Sequence, residues 1–320
     1  MRINPAWRVT FHAPDRVVLG SGTGAVELTH LDDEDARMLR ALATGSHAGP
    51  VPRPLGRLIE PALVPPGPPR PSPVPGMAAH RLRMDALHWD TAYGPHDDEP
   101  LERRWKSTVW ISGLDRCGMA VAFALAAAGT GRFAVRDDAP VAPEDLGTTP
   151  LRLPELGLSR GQALSRHLER LHPHTHVLAP VPLPEAVRGA DAAVIVARDG
   201  LSEEDADRLA RAAVPVLPVV FHESGFRLGP LHHPDAPGCA ACRTDAWPRL
   251  PRGERWGGPL APPETTSALV AAALAAQSVA MVLDGVNLPA CADGAFVGTL
   301  GSGAVYFEPL PAGCRHRAVA

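Results

Sequence analysis

The chain has 320 residues, 45% of them apolar, a formal net charge of −4 and five cysteines. That is apolar material for one large core and a smaller unit, and too little cysteine for a disulfide framework. No run of five or more basic residues offers a footprint for nucleic acid, and the opening "MRINPAWRVTF" lacks a signal peptide's apolar stretch, so a cytoplasmic protein with no nucleic-acid or membrane partner is expected.

In chain order, "RVTF" (8–11), "RVVLG" (16–20) and "AVEL" (25–28) read as short strands, and "DDEDARMLRAL" (32–42) as an acid-started helix with Met38, Leu39 and Leu42 on one side. "PLGRLIEPAL" (54–63) adds a short helical turn, so residues 1–64 are expected to form a small α+β module. "PPGPPRPSPVPG" (65–76) lacks the backbone donors that helix or sheet needs, and residues 65–100 are expected to be a proline-rich linker. From 101 to 320 the elements alternate. "TVWIS" is a strand, 118–128 a helix, "RFAVRD" a strand, "RGQALSRHLERL" a helix, "THVLAP" and "DAAVIVA" strands, "SEEDADRLARAA" a helix and "PVLPVVF" a strand. Continuous apolar strands separated by amphipathic helices imply an α/β, doubly wound, Rossmann-like domain with a parallel sheet covered on both faces. The alanine-rich "SALVAAALAAQSVAMVL" (267–283) carries Gln277 and falls short of a membrane span, so it is read as a buried or dimer-forming helix.

The stretch "VWISGLDRCG" (109–118) is a strand, a glycine turn and a helix start, the arrangement of a dinucleotide loop. Gly113 and Gly118 match the first and third glycines, but Asp115 occupies the place of the second, putting a carboxylate where a polyanion would lie at the helix N-terminus. Asp137, 24 positions after Gly113, ends the next strand and is placed for a ribose hydroxyl. Among the other chemistry-bearing residues, Cys117 reads as small apolar packing, Cys291 either as a replacement zinc ligand or as a free loop thiol, and the histidines at 172–176 and 232–233 as solvated loop residues. Neither a nucleophile elbow nor a Ser/His/Asp order is present, so no catalytic nucleophile is assigned.

The segment "ISGLDRCGMAVAFALAAAGTGRFAVRDDAPVAPEDLG" resembles the opening of the ThiF/MoeB adenylyltransferases, the superfamily of the ubiquitin-activating enzymes. Together with "GFRLGPLHHPDAPGCAACRTDAWPRL", which has a Gly-Pro turn, a Pro-Gly, a Cys-x-x-Cys and a Trp-Pro, it is most similar to the actinobacterial ThiF-like proteins of thiazole/oxazole-modified peptide biosynthesis. The resemblance implies a non-catalytic protein that binds the leader of a ribosomally made precursor peptide and presents the core to a separate YcaO-type cyclodehydratase, which alone uses ATP. It also implies a homodimer. Active adenylyltransferases carry an Asn-x-x-Arg-Gln segment after the acidic strand end, and "APVAPEDLGTTPL" has neither asparagine nor arginine. The expectation is therefore that ATP is not used. Asp199 stands about where the superfamily places a magnesium-binding aspartate; with Gly113, Gly118 and Asp137 it would serve the alternative, an ATP-dependent adenylyltransferase acting on a peptide or small carboxylate.

The Cys-x-x-Cys of Cys239 and Cys242 puts two thiols on one side of a tight loop, and the tail "AGCRHRAVA" offers Cys314 and His316. A structural zinc ion held by these four is expected, the second pair of ligands in the superfamily lying near the C-terminus. The strand-strand-strand-helix order of residues 1–64 resembles the winged-helix peptide-recognition domain of precursor-binding proteins, which takes the leader as an added strand. The expected contacts are Ala25, Val26, Glu27, Leu28 and Thr29 on the third strand, and Leu55, Leu58, Ile59 and Leu63 on the helix bordering the groove.

Overall fold

The structure is a computed structural model that describes residues 1–64, 74–93, 100–137, 139–178, 189–234, 236, 239–251 and 261–311. Cys314, His316 and most of the proline-rich run lie outside the described residues. The chain divides into two compact units, Met1–Glu102 and Arg103–Ala320.

In the first unit, β1 (Arg2–Ile3) pairs with β5 (Leu63–Val64), and β2 (Val9–Ala13), β3 (Arg16–Leu19) and β4 (Val26–Leu28) form an antiparallel sheet with β4 at its edge. Helix α1 (Asp33–Thr44) starts where the Asp32 carboxylate accepts the Asp35 N–H and stops at Gly45, whose φ of 73° suits a residue without a Cβ. Helix α2 (Arg53–Ile59) ends before Pro61, and after a single 3₁₀ turn Leu63 enters β5. The helix expected to continue to Leu63 is thus cut short, and that residue is a strand residue. Ile3, Val17, Leu19, Leu28, Leu39 and Ile59 fill the core.

The expected linker also requires correction. Residues 76–93 form α3 (Gly76–Arg81) and α4 (Arg83–Tyr93). Helix α4 is fastened to the N-terminal segment: the buried Asn4 amide donates to Leu87 O at 2.7 Å, and the Trp7 indole donates to Thr91 Oγ1 at 3.1 Å. Beyond Pro75 no proline interrupts the chain through Tyr93, and helix forms there and finds polar partners.

The second unit opens with α5 (Pro100–Lys106), which straddles the unit boundary, and is built on an eight-stranded sheet. Its parallel part contains β6 (Thr108–Ser112), β7 (Arg132–Arg136), β8 (His176–Leu178), β9 (Ala192–Arg198) and β10 (Val216–His222), in the order β8-β7-β6-β9-β10. Helices α6 (Arg116–Ala127) and α7 (Arg160–Leu171) contribute to the large core on one face, and α8 (Glu203–Ala210) to the smaller cluster on the other. This is the doubly wound α/β arrangement read from the sequence. Beyond β10 three antiparallel strands extend the sheet: β11 (Gly225–Leu228), β12 (Gly294–Thr299) and β13 (Val305–Pro309). Helix α9 (Ala240–Asp245) follows β11, and α10 (Thr265–Asp284) precedes β12. Helix α10 is long and apolar enough to cross a membrane, but it is a core helix: Ala268, Ala271, Ala272, Ala275 and Val279 are buried and α10 packs along α6, where small side chains permit close approach.

Candidate functional site

Strand order places the candidate site. The chain leaves β6 toward β7 and β8, then returns to the opposite side as β9 and β10, so a topological switch lies between β6 and β9 at their carboxyl ends. Gly113 follows β6 there and Asp199 follows β9.

Both fingerprint glycines are required by packing. Gly113 has φ 84°, and a Cβ on it would stand 2.5 Å from Val196 O; a Cβ on Gly118 would stand 1.8 Å from Gly113 O. Backbone therefore meets backbone along the whole turn. Asp115 is the N-cap of α6, its Oδ1 accepting the N–H groups of Cys117 at 2.9 Å and Gly118 at 3.3 Å. Burial pushes its carboxyl above the usual aspartate value, and the capping N–H groups and the charges of Arg160 and Arg198 only partly offset this.

Asp137 is fully engaged too. Its Oδ2 accepts Leu114 N–H at 2.7 Å, which ties the glycine turn to the end of β7, and its Oδ1 accepts Ala139 N–H at 2.9 Å. Arg160, unnoticed in the sequence, grips Asp145 with a fork of 2.9 and 3.0 Å and reaches Asp137 at 3.3 Å. Burial works against the Arg160 charge, but the two aspartates outweigh it and hold the guanidinium above its ordinary range. The turn, Asp137 and Arg160 form one hydrogen-bonded assembly.

Asp199 is not bonded to that assembly. Held at φ 61°, it donates its N–H to Phe221 O at 2.7 Å and lines a cavity of ≈ 540 Å³ at the carboxyl end of β9 and β10. The polar wall comprises Arg198, Asp199, His222, Glu223, Glu264 and Ser267, and Phe221, Pro262 and Leu300 add apolar surface. Glu264 caps α10 by accepting Thr266 N–H and Ser267 N–H, which lowers its carboxyl to about 2. The Nε of Arg198 is enclosed and has no hydrogen-bond partner among the described residues. Arg116 connects this wall to α6 by donating to Pro263 O at 2.9 Å.

The remaining candidates are dispersed. Cys117 is buried in the first turn of α6, and burial with the adjacent Asp115 pushes its thiol well above the usual range; Cys291 is pushed up to about 11 by burial. Burial thus disfavours the thiolate form of both. Cys239 is the N-cap of α9 and Cys242 lies in its first turn, but among the described residues no group of three or more His, Cys, Asp or Glu is arranged to hold a metal ion. Two thiols on one helical turn supply half of a tetrahedral set, and Cys314 and His316, the other two expected ligands, lie outside the described residues, so the expected zinc site is not seen among the described residues. In the first unit, Leu28, Leu55, Ile59 and Leu63 are buried in the core, whereas Ala25, Glu27, Thr29 and Leu58 are exposed and Val26 half-buried.

No protein-family model and no curated protein sequence matches the chain. Among solved structures, E. coli MccB superposes with a TM-score of 0.70 at 16% identity, over 97% of this chain and 93% of its own. PaaA does so with 0.70 at 15%, over 95% and 98%. E. coli MccB with ATP gives 0.69 at 14%, over 97% and 96%, and the same microcin C7 biosynthetic enzyme is also described in complex with N-formylated MccA. The chain thus has the fold of the ThiF/MoeB-like enzymes. The expectation that ATP is not used is corrected, because the fold shared almost end to end is one that holds ATP in MccB. In this chain a phosphate reaches the α6 amides only once the Asp115 carboxylate has moved off Cys117 N and Gly118 N.

Proposed function

We propose that this chain recognises a ribosomally made peptide through its first unit and, in its second, activates a peptide carboxyl group with ATP at the carboxyl end of the parallel sheet. The observation that carries the reading is the topological switch between β6 and β9, with Gly113 following β6 and Asp199 following β9, in a fold that MccB shares over 97% of this chain. ATP would supply an adenylyl group with release of pyrophosphate. Gly113 and Gly118 would let its backbone lie close to the turn, Asp137 would exchange Arg160 for a ribose hydroxyl, and Asp199 would face the metal-bound phosphates.

Peptide recognition rests on β4, which pairs with β3 on one side only and leaves Glu27 exposed. An extended peptide would add as the next strand. Proline at Val26 and, separately, at Glu27 removes one N–H in each case; the variant whose N–H faces outward is expected to lose peptide binding in calorimetry. ATP–pyrophosphate exchange in the presence of the peptide tests the activation step. Retained binding in both proline variants sinks the β4 reading, and absence of exchange sinks the activation.

A second reading keeps the recognition step but sends the peptide to a separate YcaO-type cyclodehydratase. The hold of Asp115 on the first amides of α6 favours it. Peptide binding without exchange, together with heterocycle formation only when the second protein is added, is the outcome expected from it.

A further inference from the structure

Arg116 is the first residue of α6, half-buried beside the glycine turn. Its Nε donates to Glu144 O and its Nη1 to Pro263 O at 2.9 Å. Glu144 adjoins Asp145, which Arg160 grips while reaching Asp137; Pro263 lines the same cavity as Asp199. Two hydrogen bonds from one guanidinium thus tie the side of the switch that holds Asp137 to the side that holds Asp199. Both acceptors are neutral carbonyl oxygens, and Nη2 makes no hydrogen bond to a described residue. Arg160 instead meets two carboxylates, which already offset its charge. A guanidinium held by carbonyls keeps its charge for an incoming anion. The first amides of α6 are taken by Asp115, so a polyphosphate at this turn needs another donor.

We propose that Arg116 is a nucleotide-binding residue whose guanidinium takes the β- and γ-phosphate oxygens of ATP in place of the α6 amides. The assignment rests on the reading of the second unit as an ATP site, and it adds which side chain supplies the cation. A planar fork grips phosphate oxygens in pairs, as a single ammonium does not.

The test uses the full chain and calorimetry with magnesium–ATP and with AMP, which lacks the β- and γ-phosphates. Arg116→Gln keeps N–H groups for the carbonyls of Glu144 and Pro263 and removes the charge, so it separates phosphate binding from the bridge between the two segments. It is expected to bind ATP about tenfold more weakly than the parent, the effect of one charge-assisted hydrogen bond, and AMP as before. Arg116→Lys, which keeps the charge and loses the fork, gives an intermediate ATP affinity. If thermal melts show that Arg116→Gln does not fold, phenylglyoxal modification of Arg116 in the parent decides, read by peptide mass mapping: ATP is expected to protect the side chain and AMP to leave it reactive. Equal losses for ATP and AMP, an unchanged ATP affinity in Arg116→Gln, or equal protection by the two nucleotides overturns the assignment. So does a parent that binds no ATP at millimolar concentration. Missing ATP–pyrophosphate exchange, with the ATP-specific loss in Arg116→Gln intact, removes the activation step and leaves Arg116 standing; exchange together with an unchanged ATP affinity in Arg116→Gln removes Arg116 alone.

Discussion

At the scale of single residues, Asp115 departs most clearly from the nucleotide fingerprint. Its identity was legible as an obstacle to phosphate; its use as the N-cap of α6 was not, because capping depends on backbone direction after the turn. Its folded pKa lies above the 3.8 of an ordinary aspartate, with burial the largest cause. The folded state therefore holds the proton more tightly than the unfolded state. That stabilisation is present in full below 3.8 and is lost as pH rises through the folded value. Asp115→Asn keeps an acceptor for the two amides without the charge, so its melting temperature is expected to gain on that of the parent as pH rises from below 3.8 to neutrality. A gap that stays flat or reverses in thermal melts at several pH values shows that the arginines outweigh burial. Arg160 and Arg198 went unread for a simple reason: among 31 arginines and lysines, nothing local distinguishes those that a fold brings beside carboxylates.

Among the elements, the parallel strands and their helices were largely visible in the chain, because each is a continuous apolar run or an amphipathic period whose partners cover it on both faces. Antiparallel β11, β12 and β13 were not anticipated. Gly225, Gly294 and Gly298 break their β-branched pattern, and their need for glycine arises from cross-strand approach: a Cβ on Gly225 would lie 1.9 Å from Gly298 O. The same logic governs α6. Gly118→Ala puts a methyl group 1.8 Å from the Gly113 carbonyl, and neither backbone has room to yield. It is expected to lower the unfolding free energy by about 1–3 kcal/mol, as overpacking does, read by urea denaturation; a loss below about 0.5 kcal/mol means that the turn relaxes freely.

For the whole molecule, the second unit is closed by a contact that no local pattern announces. Arg104, in α5, meets Asp284, the last residue of α10, through two hydrogen bonds of 2.6 Å, with both side chains almost fully buried. Removing one member of such a pair leaves a buried charge uncompensated, so Asp284→Ala is expected to cost about 3–5 kcal/mol of stability. The double variant Arg104→Met with Asp284→Leu is expected to recover most of it. Denaturant titration checks both, and a single variant as stable as the double one excludes an energetic role for the pair.

The sequence by itself determined the α/β class, the succession of strands and helices around the glycine turn, and the smaller α+β unit ahead of it, because hydrophobic period and turn chemistry are local properties. Only the tertiary structure decided which carboxylates pair with which arginines, that the helix Arg83–Tyr93 belongs to the first unit and is fastened to its N-terminal segment, that Leu28, Leu55 and Ile59 are core residues, and that Arg198 and Asp199 line a cavity. Each of these depends on groups far apart in the chain being brought within a few ångströms, and burial, hydrogen bonding and charge then act on positions that composition leaves equivalent.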